Sequence, residues 1–166
     1  MKKIKIIAIA FLLLAAITLF SGCVEKVPVP AIQEGRFNFS FTYEYAGETK
    51  TVSGVYVCEY DGIDWVLDGG FHREWSGYIE GKTTEENIIL GTAEDGGIVE
   101  IYLAFDPDLF MGDSPWVEDE PFVPWLSVRL YNEGLYFESD AEILAETYGA
   151  RIISYEYDEP IVNTFS

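Results

Sequence analysis

Histidine and cysteine are nearly missing from this 166-residue chain: His72 is its one histidine, and Cys23 and Cys58 are its two cysteines. A Ser–His–acid triad can be drawn only through His72, in Phe71-His72-Arg73-Glu74-Trp75, where a polar strand-edge or loop residue is the simpler role. The chain holds no Gly-x-Ser-x-Gly elbow, no His-Glu-x-x-His, no phosphate loop and no Cys-x-x-Cys. Basic residues are scarce as well, ten against 29 acidic ones, for a net charge of −19. That balance repels nucleic acid and anionic headgroups, which speaks against a nucleic-acid partner and favours cations, basic partners or plain solubility. Internal repeats and extended low-complexity segments are lacking too. Glycoside hydrolysis needs two carboxylates at a fixed separation. With 29 acids, candidate pairs exist everywhere, so the pattern singles out none.

One apolar run is present. Lys2, Lys3 and Lys5 precede it, it extends from Ile6 to Phe20, and Ser21-Gly22-Cys23 closes it. A basic start holds the N-terminus on the cytoplasmic side while the apolar run enters the translocation machinery. The run is shorter than the roughly 20 residues that span a bilayer. Ser21 and Gly22 are small enough for a peptidase to bind their backbone closely, and Cys23 offers a thiol, the group through which a thioether to a diacylglyceryl chain can be made. Phe20-Ser21-Gly22-Cys23 thus resembles the lipobox of a prokaryotic lipoprotein signal peptide, with Phe20 where Leu is usual. The resemblance implies that residues 1–22 are a signal peptide and that lipidation, with palmitate-type acyl chains, falls on Cys23. The mature protein is then expected on the cell membrane, lipid-anchored and facing the extracytoplasmic side. Each buried methylene contributes about 0.8 kcal/mol, and two chains anchor stably where one does not. The alternative from the same residues is an uncleaved N-terminal anchor helix, which also leaves residues 24–166 tethered outside.

The mature chain keeps all 29 acidic residues and seven basic ones, a net charge of −22, over a length that suits one domain plus a tether. Residues 23–35 are the lipidated Cys and its tether, with Pro28 and Pro30 in it; Val24 to Gln33 reach at most about 30 Å at the polyproline rise. Residues 36–166 form the globular domain. From Arg36 onward apolar and polar residues alternate: Phe37, Phe39, Phe41, Tyr43 and Tyr45 on one face, Asn38, Ser40, Thr42 and Glu44 on the other. Period two predicts a half-buried strand. Ala46-Gly47-Glu48-Thr49 reads as a turn with Gly at its first central position, pairing Tyr43 with Val52, Phe39 with Tyr56 and Phe37 with Cys58. Asp61-Gly62 reads as the next turn, and further strands are expected at Ile63–Leu67, Trp75–Glu80, Asn87–Gly91, Ile98–Phe105, Leu126–Tyr131, Leu135–Glu138 and Ile152–Tyr157. One helix is expected near the C-terminus, with Ser139 and Glu142 as a capping box and Gly149 at its end. The fold class is therefore mainly β, an antiparallel sandwich or barrel-like sheet of about eight strands with one short α-helix, after an N-terminal signal helix.

Cys58, in Val55-Tyr56-Val57-Cys58, reads as a small buried hydrophobe, and Trp65 and Trp75 read as core. Asp61, Asp64 and Asp68 occupy one turn-rich stretch and Asp106, Asp108 and Asp113 another. Neither has the alternating spacing and distal Glu of an EF-hand loop, so adventitious surface Ca2+ is the most they suggest, and no cofactor is expected. The most suggestive segment is Asp106 to Pro124, with four prolines, Glu118-Asp119-Glu120, and Phe110, Met111, Trp116 and Phe122; Trp125 follows at its edge. Long loops are often binding loops or lids. Phe110, Trp116, Phe122 and Trp125 are accordingly the candidate partner-binding residues, since such rings stack on sugars or anchor a protein. The opposing expectation is that they fold back and cover an open end of the sheets.

The globular part resembles a loose group of uncharacterised lipoproteins and secreted domains, mostly from Gram-positive bacteria. The resemblance rests on Asp61-Gly62-x-x-Trp65, Met111-Gly112-Asp113 and Ile153-Ser154-Tyr155-Glu156-Tyr157. It implies an anchored, mainly β domain and no particular activity. The expected role is a non-enzymatic binding or interaction module of the cell envelope, for a basic or uncharged envelope protein or a glycan. A structural envelope component without a defined ligand ranks second, and a carboxylate-dependent envelope hydrolase third.

Overall fold

The computed structural model describes residues 27–67, 70–82, 87–94, 96–114, 119–130 and 136–166. The signal helix, Cys23, Asp68, Trp116 and the turn at Asn132-Glu133-Gly134 lie outside the described residues. Along the chain run β1 (Glu34–Tyr45), β2 (Glu48–Val66), β3 (Gly70–Ile79), β4 (Asn87–Thr92), β5 (Ile98–Phe105), α1 (Pro107–Phe110), β6 (Phe122–Leu130), β7 (Tyr136–Glu138), α2 (Ala141–Tyr148) and β8 (Ala150–Tyr157). Two four-stranded sheets result, ordered β3-β2-β1-β8 and β4-β5-β6-β7, with every pairing antiparallel. The expected mainly β, antiparallel architecture is the one the chain adopts.

Alternation in β1 decides which face is buried. Phe37, Phe39, Phe41 and Tyr43 are all buried, and the second sheet meets them with Val99, Ile101 and Leu103. Ring contacts cross between the sheets, with Phe39 5.1 Å and Tyr56 4.1 Å from Phe105. Each such side chain contributes about 2 kcal/mol by leaving water.

The first hairpin is tighter than the sequence suggested. Ala46 and Gly47, at φ 51° and 77°, form a two-residue turn, so Tyr43 pairs with Lys50, Phe39 with Gly54 and Phe37 with Tyr56. Both central residues having positive φ is the turn whose twist matches that of the strands. The register differs by two residues from the expected one, and two is the side-chain period, so the buried face is unchanged.

Asp61-Gly62 is not a turn. β2 runs through it with a bulge between Tyr60 and Gly62, where Gly62 takes φ 118°. β1 begins at Glu34, opposite Glu59, so beyond that rung β2 and β3 continue as a two-stranded arm down to Val66 and Gly70. Alongside the root of this arm, the N-terminal and C-terminal tails are joined. Val29 and Ser166 exchange backbone hydrogen bonds of 3.1 and 3.2 Å, Ala31 donates to Thr164, and Tyr60 donates to Gln33. Asn163 holds Ile32 from both sides of its amide, accepting from the Ile32 N–H and donating to the Ile32 carbonyl. Residues 29–33, expected as free tether, are therefore part of the fold.

The Asp106–Pro124 segment contains α1, unforeseen in the sequence. The Asp106 side chain caps it by accepting from the Leu109 N–H at 3.2 Å. In α2 the cap is Asp140 rather than Ser139, accepting from Glu142 and Ile143. Gly149 ends it in the left-handed conformation, as expected. Among the described residues no helix is long and apolar enough to cross a membrane.

Candidate functional site

The outer face of the β4-β5-β6-β7 sheet follows from strand parity. Val99, Ile101 and Leu103 of β5 face the core with Leu126 and Val128 of β6, so Glu100, Tyr102, Trp125 and Ser127 face outward. Tyr102 and Trp125 are direct cross-strand partners whose rings lie 5.6 Å apart, tilted by 34°. Trp125 is 54% exposed, and Ile89 and Val123 add apolar surface to the same face.

Beside these rings sits a charge that the sequence did not single out. Glu100, opposite Ser127, is only 2% exposed. Arg129, two residues further along β6, donates from Nη2 to its Oε2 at 2.9 Å. A carboxylate at that burial needs its cation, and removing one partner of such a pair costs about 3 kcal/mol or more. The arrangement is an aromatic platform beside a fixed ion pair, with Ser127 buried at 6% exposure next to Glu100. It can stack on the apolar face of a sugar ring or pack an uncharged side chain, with the partly exposed Arg129 at its margin.

The three candidates among the described residues, Phe110, Phe122 and Trp125, do not form one displayed cluster. Phe110, at the end of α1, is fully buried and lies 4.5 Å from Phe37 and 5.5 Å from Tyr56. Phe122, at the start of β6, is fully buried against Phe105 at 4.7 Å and Phe39 at 5.4 Å. No partner reaches either ring, so both are core residues rather than members of a binding loop. The reason is that the segment folds as helix and strand, which turns both rings inward. Trp116 lies outside the described residues, and of the described candidates Trp125 alone is displayed, on a strand. Tyr102 was missed, although the parity of Ile98–Phe105 places it opposite Ile101 and Leu103. Trp65, expected in the core, is 52% exposed on the arm, whereas Trp75 is buried as expected.

The remaining candidates for chemistry have structural work. Cys58 is fully buried, and burial, with Asp106 and Asp108 nearby, pushes its thiol up to about 12. It stays protonated and fills the core, which suits its expected role. His72 is exposed on the edge strand β3, opposite Asp64. Of the second acidic trio, Asp106 caps α1, while Asp113 takes the Arg73 guanidinium through two nitrogens and the Trp75 indole N–H at 2.7 Å. The Asp108 carboxyl is pushed up to about 6, first by burial and then by Asp106 and Asp113. Among the described residues, no group of three or more His, Cys, Asp or Glu side chains is placed to hold a metal ion.

No protein-family model, curated protein or solved structure matches the chain.

Proposed function

We propose that the chain is a lipoprotein, anchored through acyl chains on Cys23 to the outer side of a cell membrane, whose sandwich is a binding module of the cell envelope. Its occupant is uncharged, a glycan or a neutral protein surface, and sits on the Tyr102–Trp125 platform. The single observation that supports this reading is the exposed Trp125 ring paired with Tyr102 on a regular sheet face, where a polar residue would be the ordinary choice. The address is supported by Lys2 to Cys23 as a signal peptide, and the exclusion of anionic polymers by a mature charge of −22.

The test uses the purified full-length protein and insoluble envelope polysaccharide from the producing cell. The parent is expected to sediment with the polysaccharide, and Trp125→Ala to stay in the supernatant while keeping its thermal transition. Equal sedimentation of the two would remove the platform from the reading. The mass of the native N-terminus tests the anchor separately: acyl chains on Cys23 with residues 1–22 gone are expected, and an unmodified leader would overturn it. If nothing in the envelope binds, a structural component without a ligand takes first place.

A further inference from the structure

Apolar surface gathers at the end of the molecule where the N-terminal tail joins the fold. On the arm formed by β2 and β3, Trp65 stands opposite Phe71, and Ile63 stands opposite Arg73. All three apolar side chains are about half exposed, and Leu67, of the same parity, is 82% exposed. The other face of the ribbon carries Asp64 and His72 as partners, with Glu74 beyond. The arm is therefore amphipathic, and among the described residues no second sheet covers its apolar side. The adjoining tails add Val29, Ile32 and Val162, the last 90% exposed. Seven of the thirteen exposed large apolar residues among those described thus lie on the arm or the tails at its root.

Arg73 fixes this arm to the tails. Its guanidinium lies on the Asp113 carboxylate, donates to the Pro28 carbonyl at 3.3 Å, and stands 4.0 Å from the centre of the Phe165 ring. The described chain starts at Val27, four residues after Cys23, and four residues span at most about 14 Å. The arm extends about 10 Å from Ile63 to its last paired rung. Cys23 therefore lies within about 14 Å of Val27, whose neighbour Pro28 is held by Arg73 on the same arm as Trp65 and Phe71.

We propose that the apolar face of the β2–β3 arm seats in the interfacial layer of the same bilayer that holds Cys23, as a second membrane contact that fixes the domain's orientation. The proposal rests on the lipid-anchor reading for its placement of the membrane. A half-exposed Trp among Ile, Leu and Phe matches the interfacial layer, where an indole keeps its ring in hydrocarbon and its N–H in the headgroups. Asp64, Glu74 and the net negative charge favour zwitterionic over anionic headgroups.

The test places the full-length protein in phosphatidylcholine vesicles whose acyl chains are brominated, which quench tryptophan at the interface. Quenching is expected in the parent, lost for the most part in Trp65→Phe and retained in Trp125→Phe. Both substitutions are at exposed sites, so the fold is kept. Membrane-bound protein that is quenched equally in the parent and in Trp65→Phe overturns the arm contact. So does Trp65 emission that is shielded from water but unquenched, the result expected if a second copy covered the arm. The N-terminal mass of the same sample separates the two readings: acylated Cys23 without Trp65 quenching sinks the arm alone, and quenching without acylation sinks the anchor alone. Protein that stays out of the vesicles sinks both.

Discussion

Two tryptophans in this molecule look alike and are supported differently. Trp65 and Trp125 are each about half exposed, each pairs across strands with another aromatic, Phe71 or Tyr102, and each lies near a largely buried ion pair. Trp125 stands on a four-stranded sheet backed by Ile101 and Leu126, and its ion pair, Glu100–Arg129, joins neighbouring strands. Trp65 stands on a two-stranded ribbon past the end of β1, and its ion pair, Arg73–Asp113, ties β3 to the segment after α1 and to the N-terminal tail. Exposure therefore does not assign a role by itself. What holds the ring, and what else shares its surface, distinguishes a firm platform with Arg129 at its margin from an apolar projection beside the chain's point of attachment.

That contrast is broken most directly at the two ion pairs. Asp113→Ala leaves the Arg73 guanidinium without its carboxylate and the Trp75 indole N–H without its acceptor, and a largely buried charge that has lost its counter-ion costs about 3 kcal/mol. The expected fall in Tm is about 10 °C for a domain of this size, accompanied by protease sensitivity at the tails that Arg73 had held. Glu100→Gln keeps the shape and removes the charge, and is expected to cost about 2 kcal/mol without loosening the tails. Thermal melts and limited proteolysis of the two variants check the ordering. Glu100→Gln releasing the tails as readily would erase the distinction between a local and a bridging pair.

The Asp113 position also shows what could and could not be read from the chain. β1 was legible because Phe37, Phe39, Phe41 and Tyr43 alternate with polar residues, and parity survives a two-residue register difference. The α2 terminus was legible because Gly149 is needed at φ 58°. Asp61-Gly62 carried a turn signature, yet Gly at positive φ serves a bulge as well, and only pairing with β3 separates the two. Trp65 read as core because it lies in a strand-like stretch, but β1 begins only at Glu34, opposite Glu59, so it does not flank β2 at Trp65. Arg73 and Asp113 meet across 40 positions of chain, a distance at which local pattern carries no information. Of the candidate site, Trp125 was legible as an aromatic at a strand edge, but its partner Tyr102 required the β5–β6 register.

A smaller effect follows from Asp108, whose carboxyl is raised from 3.8 to about 6 by burial, by Asp106 and by Asp113, against the opposing pull of His72 and Arg73. The folded state then holds this proton more tightly than the unfolded chain, so this group's contribution to stability falls as pH rises from 3.8 through about 6. Asp108→Asn is expected to stabilise at pH 7 by about 1 kcal/mol or less, because the side chain is substantially exposed and solvent screens the cost. Denaturant melts between pH 4 and pH 7 check it, and a variant with an undiminished slope over that window would assign the pH dependence to other carboxylates.

The smallest expected effects on stability belong to the two tryptophans themselves, and there the comparison is sharpest. Trp65→Ala and Trp125→Ala each remove a half-exposed ring, with expected costs of about 0.5 kcal/mol. Their consequences are expected to separate by location. Trp125→Ala loses capture of envelope polysaccharide and keeps vesicle contact; Trp65→Ala keeps the capture and loses the interfacial quenching. Since Arg73 ties the arm to the tail and Glu100 ties the platform to its own sheet, neither change has a short mechanical route to the other. The double variant should therefore equal the sum of the singles. A measured coupling between them would mean that bilayer contact and occupant binding share one surface, and the division between arm and platform would have to be redrawn.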